Sequence, residues 1–464
     1  MSELQYPEPL MIGAAIQVPS QFVSKELLDF LRYPNPKIKE LKRLNLSTYG
    51  VPEFIPTYWK NGRGELFVMR GELRKLLAFF GAVGIKETSV TGPQTGIVYR
   101  NGDFDLDERQ KRAVCAIQNK KQGIVHAATS AGKSAIILAS LAKRGVPALV
   151  IVRSKILLNQ LYEDAKKWLV PPSDAPLLGR IGDGKRELGR PITFAIDKSL
   201  AKLLSDDPSY RDAWGCVIVD ECHLVPANTF LNILNQLNAR YRYGLSGTLK
   251  RKDGMEFLVY ASFGEVIATI TKDELLQADR ISRVDVEVVY SEASVPEALL
   301  ELPATKKHQA IDACLHTDPD RLNLIIEYAE KILASDPTRR VVIASRYVDP
   351  CYAAQAAFEA RGIRCLTITG KDNDNDETCG ALRRGEIRIV AATLGCFSTG
   401  VNIPELTDII LISPCFSNEL LIHQLRGRLF RKAEGKTHGT LHVIWDQYVF
   451  APYRLANFLR IMNK

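Results

Sequence analysis

From about residue 105 onward, short continuous apolar runs alternate with longer stretches of helical periodicity. Apolar runs bounded by turn residues read as strands buried on both faces, as in a parallel sheet, and the segments between them as the helices that cover it. One series predicts strands near 123–128, 148–153, 192–196, 216–220 and 243–247 and closes at about residue 282. A polar stretch containing Ser291-Glu292-Ala293-Ser294 and Pro303-Ala304-Thr305-Lys306-Lys307 breaks the pattern. A second series starts at Arg321 and predicts strands near 341–345, 365–369, 387–392, 409–413 and 440–445. This alternation gives an α/β fold of two doubly wound parallel-sheet domains, 101–282 and 283–464. Residues 1–100 follow neither series: helical signals near 24–32 and 71–80 and a hairpin at Trp59-Lys60-Asn61-Gly62-Arg63-Gly64-Glu65 predict a small α+β accessory domain.

Composition narrows the class. With 46% hydrophobic residues the chain has ample core material, and no apolar run approaches the ~20 residues that span a bilayer. Glu3, Pro7 and Pro9 interrupt any signal-peptide pattern. Nine cysteines without a C-x-x-C pair argue against a disulfide framework, a zinc site or an iron–sulfur cluster, and predict a reducing, cytoplasmic setting. A net charge of +8 suits a polyanionic partner without establishing one.

Three segments carry the chemistry. Ala127-Ala128-Thr129-Ser130-Ala131-Gly132-Lys133-Ser134 follows a predicted strand and opens a predicted helix. Small residues let backbone N–H groups close around phosphates at the helix N-terminus, Lys133 reaches the β- and γ-phosphates and the Ser134 hydroxyl holds Mg²⁺. Taken alone, the pattern also fits a turn capping a helix. Cys216-Val217-Ile218-Val219-Asp220-Glu221-Cys222-His223 is a strand ending in two carboxylates: Asp220 for the metal shell, Glu221 to orient and polarise a water. A solvated acidic turn is the plainer alternative. His223 suits coupling between sites better than metal binding. In Gln424-Leu425-Arg426-Gly427-Arg428-Leu429-Phe430-Arg431, Arg428 and Arg431 share a helix face and suit the stabilisation of a γ-phosphate, where a basic segment alone would read as solvated surface.

In their order, these segments resemble the motifs of the superfamily 2 helicases over about residues 105–446, the acidic one as a DECH box. The stretch Leu245-Ser246-Gly247-Thr248-Leu249-Lys250-Arg251-Lys252-Asp253-Gly254, with Phe263-Gly264-Glu265, is most similar to the XPB-type and phage UvsW-type DNA helicases; Phe397-Ser398-Thr399-Gly400 is similar to the phage group. The resemblance implies two tandem RecA-like domains that close on ATP and Mg²⁺ while a nucleic-acid strand crosses both. It implies nucleotide contacts from Gln110, the phosphate loop (Ala127, Thr129, Ser130, Ala131, Gly132, Lys133, Ser134) and Gln424, and coupling through His223, Ser246 and Thr248. Strand contacts are implied for Arg153, Ser154, Lys198, Thr393 and Thr399. The chain departs from the family at Ala127, where a Gly is usual, and at Asn402, where many relatives have Asp. Ile196 and Lys198 replace Thr and Gln, and Arg251-Lys252-Asp253 only approximates an Arg-Glu-Asp element.

The expected function is an ATP-dependent DNA helicase or translocase acting on duplex or branched DNA in replication, recombination or repair, with a phage origin suggested by resemblance alone. UvsW-type proteins also carry a small N-terminal DNA-binding domain. Trp59, Lys60 and Arg63 on the hairpin, and Lys37, Lys39, Lys42 and Arg43, are candidates for that role here; a packed Trp and a solvated helix face are the alternatives. An RNA helicase uses the same motifs. No wedge element is apparent, which keeps open an ATP-gated clamp or remodelling subunit that parts no strands.

Overall fold

The computed structural model describes residues 8–81, 83–100, 106–225, 228–251, 253–278, 282–372, 374–400, 403–413, 425, 427–431, 433, 436 and 438–462, without the side chains at 228, 304–306, 308, 398–400 and 461. Two compact units divide the chain, Met1–Thr271 and Lys272–Lys464.

In the first unit an eight-stranded sheet has the order Lys185–Arg186, Leu178–Gly182, Ile192–Ile196, Ala148–Val152, Cys216–Asp220, Tyr241–Ser246, Gln122–Ala127, Val266–Ile270. Every neighbouring pair is parallel except the first. All five expected strands are present. The central ones are buried along their whole length, Ala148–Val152 and Cys216–Asp220 at every position, because helices cover both faces. Helix Lys133–Arg144 buries Ile136 to Ala142 and ends at Gly145, whose left-handed backbone (φ 65°) lets its N–H bond the Leu141 carbonyl.

The N-terminal residues form a five-stranded mixed sheet, Tyr58–Lys60, Leu66–Val68, Ile16–Val18, Leu10–Ile12, Ile85–Glu87. Helices Lys25–Phe30 and Leu73–Phe80 contribute Leu27 and Leu76 to its core. The expected hairpin pairs Trp59 with Phe67, and Asn61 Oδ1 accepts from the N–H groups of Arg63 and Glu65 at 3.0 Å. Trp59 stacks on Phe67 (6.0 Å between centroids) and packs against Met69, Leu258 and Ala261, so the structure carries the packed-Trp reading.

This sheet is fastened to the parallel one by two buried guanidiniums. Arg70 donates to the carbonyls of Gly13 (3.1 Å), Ala239 (2.5 Å) and Arg240 and to Gln122 Oε1 (3.0 Å). Arg242 donates to the carbonyls of Ala14 (2.9 Å) and Leu237 (3.0 Å). A Cβ on the neighbouring Gly71 would lie 2.1 Å from the Tyr260 carbonyl, so the two parts meet too closely there for a side chain.

In the second unit six parallel strands run Arg283–Ser291, His438–Asp446, Asp408–Leu411, Val341–Ser345, Ile389–Thr393, Cys365–Ile368. Its five expected strands are present, with Arg283–Ser291 added at one edge. Arg321 is buried against Asp446 (2.6 Å) and the Ile412 carbonyl (2.7 Å), tying the helix Pro319–Ser335 to the sheet's carboxyl end.

Candidate functional site

Three adjacent strands of the first unit set the site. Tyr241–Ser246 lies between Gln122–Ala127 and Cys216–Asp220, with Asp220 beside Leu245 and Ser246 beside His126. Their carboxyl ends therefore open together, bringing the loop 128–132, the acidic pair and Ser246-Gly247-Thr248 to one rim.

The loop after Ala127 turns through two left-handed residues, Ser130 (φ 69°) and Gly132 (φ 75°), with Ala131 N–H bonded to the Ala128 carbonyl at 3.0 Å. A Cβ at Gly132 would sit 2.3 Å from Gln110 Nε2. Gln110 performs two tasks: its Oε1 accepts from Asp107 N–H (3.0 Å) in a capping box, and its Nε2 donates to the Ala131 carbonyl (3.1 Å), bracing the loop. Ala127 ends its strand fully buried and outside the left-handed region, so no glycine is required there. Thr129 packs beside Gly247, where a Cβ would come within 3.4 Å of the Thr129 nitrogen.

Lys133 opens the helix, and its Nζ pairs with Glu221 Oε1 and lies 3.8 Å from Asp220 Oδ1. Burial lowers the Lys133 ammonium, but the Glu221 and Asp220 carboxylates outweigh it and the net direction is up. The acids diverge. Burial keeps the Asp220 carboxyl above its usual range, Lys133 only partly opposing, whereas Lys133 and then His223 overcome burial at Glu221 and hold it well below. Ser134, one residue on, shares a hydrogen bond with Asp164, a group whose carboxyl burial raises.

Behind the acids, the Ser246 hydroxyl is a node. It lies 2.8 Å from His223 Nδ1, accepts from Thr248 N–H (3.1 Å) and stands 3.5 Å from Glu221 Oε2. The opposite ring nitrogen of His223, Nε2, is buried with no hydrogen-bond partner among the described residues. His126, not foreseen, joins the site 3.2 Å from the Gly247 carbonyl, and Arg251, expected only as part of Arg251-Lys252-Asp253, donates to the His223 carbonyl and grips Asp253 with Nε at 2.8 Å. A basic residue beside the third motif was the available signal for Arg251.

Two family models match, one described as the type III restriction enzyme res subunit over residues 103–251 and one as the helicase conserved C-terminal domain over 324–433. A probable helicase D10 of Escherichia phage T5 is 31% identical over 316 residues, 68% of this chain and 65% of that one. The DNA 3'-5' helicase XPB of Mycobacterium tuberculosis is 25% identical over 387 residues, 79% of this chain and 65% of that one. The chain thus spans a little under two thirds of these relatives' lengths. It belongs to the superfamily 2 helicases, most like their XPB and UvsW types. A solved fragment of an HsdR subunit of a type I restriction enzyme from Vibrio vulnificus superposes with a TM-score of 0.55 at 17% identity, covering 75% of this chain and 66% of that one, in keeping with the tandem RecA-like fold.

The residues implied by helicase resemblance fall into two groups. Arg153, Ser154 and Lys198 follow adjacent strands at the same rim. Ser154 accepts from Leu157 N–H (3.3 Å) as a helix cap, Arg153 Nε lies 3.8 Å from buried Asp197, and Lys198 is exposed. In the second unit Thr393 ends its strand nearly buried. Leu425 and Leu429 anchor the double-arginine segment in that unit's core, leaving Arg428 and Arg431 half-buried; burial, then Arg383, lowers the Arg431 guanidinium to about 10. Lys436 Nζ donates to the Arg431 carbonyl (2.8 Å) and the Pro404 carbonyl (3.0 Å). Gln424, Asn402 and the Thr399 side chain lie outside the described residues.

Proposed function

We propose that this chain is an ATP-dependent DNA helicase or translocase that acts on duplex or branched DNA in replication, recombination or repair, in the cytoplasm of a bacterial or phage-infected cell. One observation carries the ATP-site reading: Lys133 lies between Asp220 and Glu221 at the end of three adjacent strands, beside a loop that turns through left-handed Gly132 (φ 75°). The residues fit a nucleotide with its magnesium ion. The helix N-terminus offers N–H groups with no intrahelical partner, and Asp220 and Ser134 are the oxygen donors Mg²⁺ accepts beside phosphates. Bound there, the ion would neutralise phosphate charge. Lys133 would leave the carboxylates for the β- and γ-phosphates; Glu221, no longer held down by the ammonium, would become the more basic and take hold of a water. Arg428 and Arg431 would stabilise charge on the transferred phosphoryl group. Ser246, His223 and Thr248 would relay the state of Glu221, while Arg153, Ser154, Lys198, Thr393 and Thr399 would contact the strand.

Steady-state ATP hydrolysis with no polymer, single-stranded DNA, duplex DNA, a four-way junction and RNA at one fixed salt tests the proposal. Stimulation by DNA, strongest with the junction, is expected; stimulation confined to RNA, or indifference to every polymer, overturns it.

A further inference from the structure

Residues 35–54 leave the N-terminal sheet as a spur. Its base is closed by the antiparallel pair Arg32–Pro34 and Phe54–Pro56, by Asn35 N–H to the Glu53 carbonyl (2.9 Å) and by Asn35 Nδ2 to the Pro52 carbonyl (2.8 Å). The outgoing limb is the helix Pro36–Arg43, capped by the Asn35 side chain and with no fully buried residue. Leu46 N–H returns to the Leu41 carbonyl (2.9 Å) across left-handed Asn45 (φ 53°), ending that helix. At the tip, Val51 N–H bonds the Thr48 carbonyl (3.1 Å) around Tyr49 and Gly50, with Gly50 at φ 74°, the residue a turn of this kind needs. Tyr49 is 97% exposed, Leu44 52% and Leu46 55%.

Isolated apolar side chains on a surface need no explanation, but this group crowns a cationic limb. Lys37, Lys39, Lys42 and Arg43 are all exposed, and among the described residues none makes an ion pair. Lys39, Lys42 and Arg43 stand three and four apart and share one helix face. An aromatic ring held at a tight turn beyond a row of unpaired cations matches the end of a duplex. There the backbone on each side offers phosphates and the last base pair offers a flat face.

We propose that this spur parts DNA strands at a branch point, Tyr49 stacking on the terminal base pair while Lys39, Lys42 and Arg43 hold the flanking phosphates. The proposal rests on the DNA-motor reading above and supplies the wedge that no motif displays. A groove of about 790 Å³ opens at the spur's foot, lined by Asn35, Lys37, Glu40, Tyr58, Asn232 and Asp253, and offers amides and a tyrosine to the bases of a released strand. Asp253, on the same groove, is gripped by Arg251, which also holds the His223 carbonyl, so two side chains connect the groove to the backbone just after the acidic pair.

The test uses the whole chain with labelled forked and blunt duplexes of equal length, without nucleotide, at one fixed salt. The native protein is expected to prefer the fork, and Tyr49→Ala to lose that preference by roughly tenfold in affinity, the size of one lost base stack. Tyr49→Trp restores it. Lys39→Glu with Lys42→Glu weakens both duplexes and flattens the salt dependence. In a second arm, Tyr49→Ala lowers displacement of a forked strand while ATP hydrolysis stimulated by single-stranded DNA stays native. Equal native affinity for fork and blunt end, or an unchanged preference in Tyr49→Ala, overturns the spur. Hydrolysis that ignores DNA in the native chain overturns the motor reading instead, and the binding arm tells the two failures apart.

Discussion

Arg70→Ala tests whether residues 8–100 are an appended module or part of the first unit's fold. The guanidinium is 1% exposed and meets three carbonyls and Gln122, with Glu87 at 3.9 Å. Truncation strands these acceptors, each at about 1–3 kcal/mol when buried, and opens a cavity. Relief of its repulsion with Arg242 and of its own desolvation offsets part of this. A net loss of about 3–5 kcal/mol follows, comparable to breaking a buried charge contact. In the 271-residue unit Met1–Thr271 this lowers the melting temperature by roughly 10 °C. Calorimetry of the full chain, with limited proteolysis to report release of the N-terminal sheet, is the assay. Arg74→Ala is the control: Arg74 pairs with Glu265 but is 83% exposed, and such a pair contributes about 0–1 kcal/mol. Equal melting of Arg70→Ala and Arg74→Ala would refute the reasoning.

Lys133→Ala abolishes ATP hydrolysis and leaves DNA binding near native, whereas Glu221→Gln retains nucleotide binding and loses turnover by roughly 10²–10⁴-fold; titration with a fluorescent nucleotide beside a phosphate-release assay separates the two. Gly132→Ala, strained at φ 75° and driven against Gln110, is expected to lose nucleotide binding, and a second change, Gln110→Ala, restores only part because the backbone strain remains. Burial, then Arg431, brings Lys436 down to about 7. Between there and the ordinary value of roughly 10.4 the unfolded chain holds the extra proton, so stability rises with pH over that window. Lys436→Met loses that rise, as melting curves of native and variant at about pH 6.5 and 9 will show.

Both motor sheets were legible where strands are buried on both faces and read as unbroken apolar runs. The strands missed have other reasons. Leu178–Gly182 carries two glycines, and Val266–Ile270 and Arg283–Ser291 are edge strands, the latter alternating Val with Arg, Asp and Glu because one face is wet. The loop 128–132 and the acidic pair, which meet at one rim, were legible from local residue pattern, and Ser246-Gly247-Thr248 only through the helicase resemblance. Their supports were not. Gln110 bracing the Ala131 carbonyl, Arg251 holding the His223 carbonyl and buried Asp197 beside Arg153 depend on strand order, which spacing does not encode. Arg70 and Arg242 were invisible for a different reason: an arginine in a sequence reads as surface, and only the carbonyls converging from Gly13, Ala14, Leu237, Ala239 and Arg240 make burial tolerable.

The placement of Lys133 also constrains how a nucleotide can enter. Asp220 and Glu221 are adjacent at the strand end, Asp220 buried and Glu221 partly so; burial prevails at Asp220, whereas Lys133 and His223 overcome it at Glu221. Were Lys133 to swing to a phosphate with nothing in its place, two neighbouring carboxylates would face each other in a low dielectric, and one would have to take up a proton. That carboxyl would be Asp220, which burial already raises, since Glu221 keeps His223 beside it at 3.3 Å. A protonated Asp220 would be a poor donor to the magnesium ion proposed there. In the proposed site, Lys133 reaching phosphate and Asp220 holding the ion would therefore favour one another.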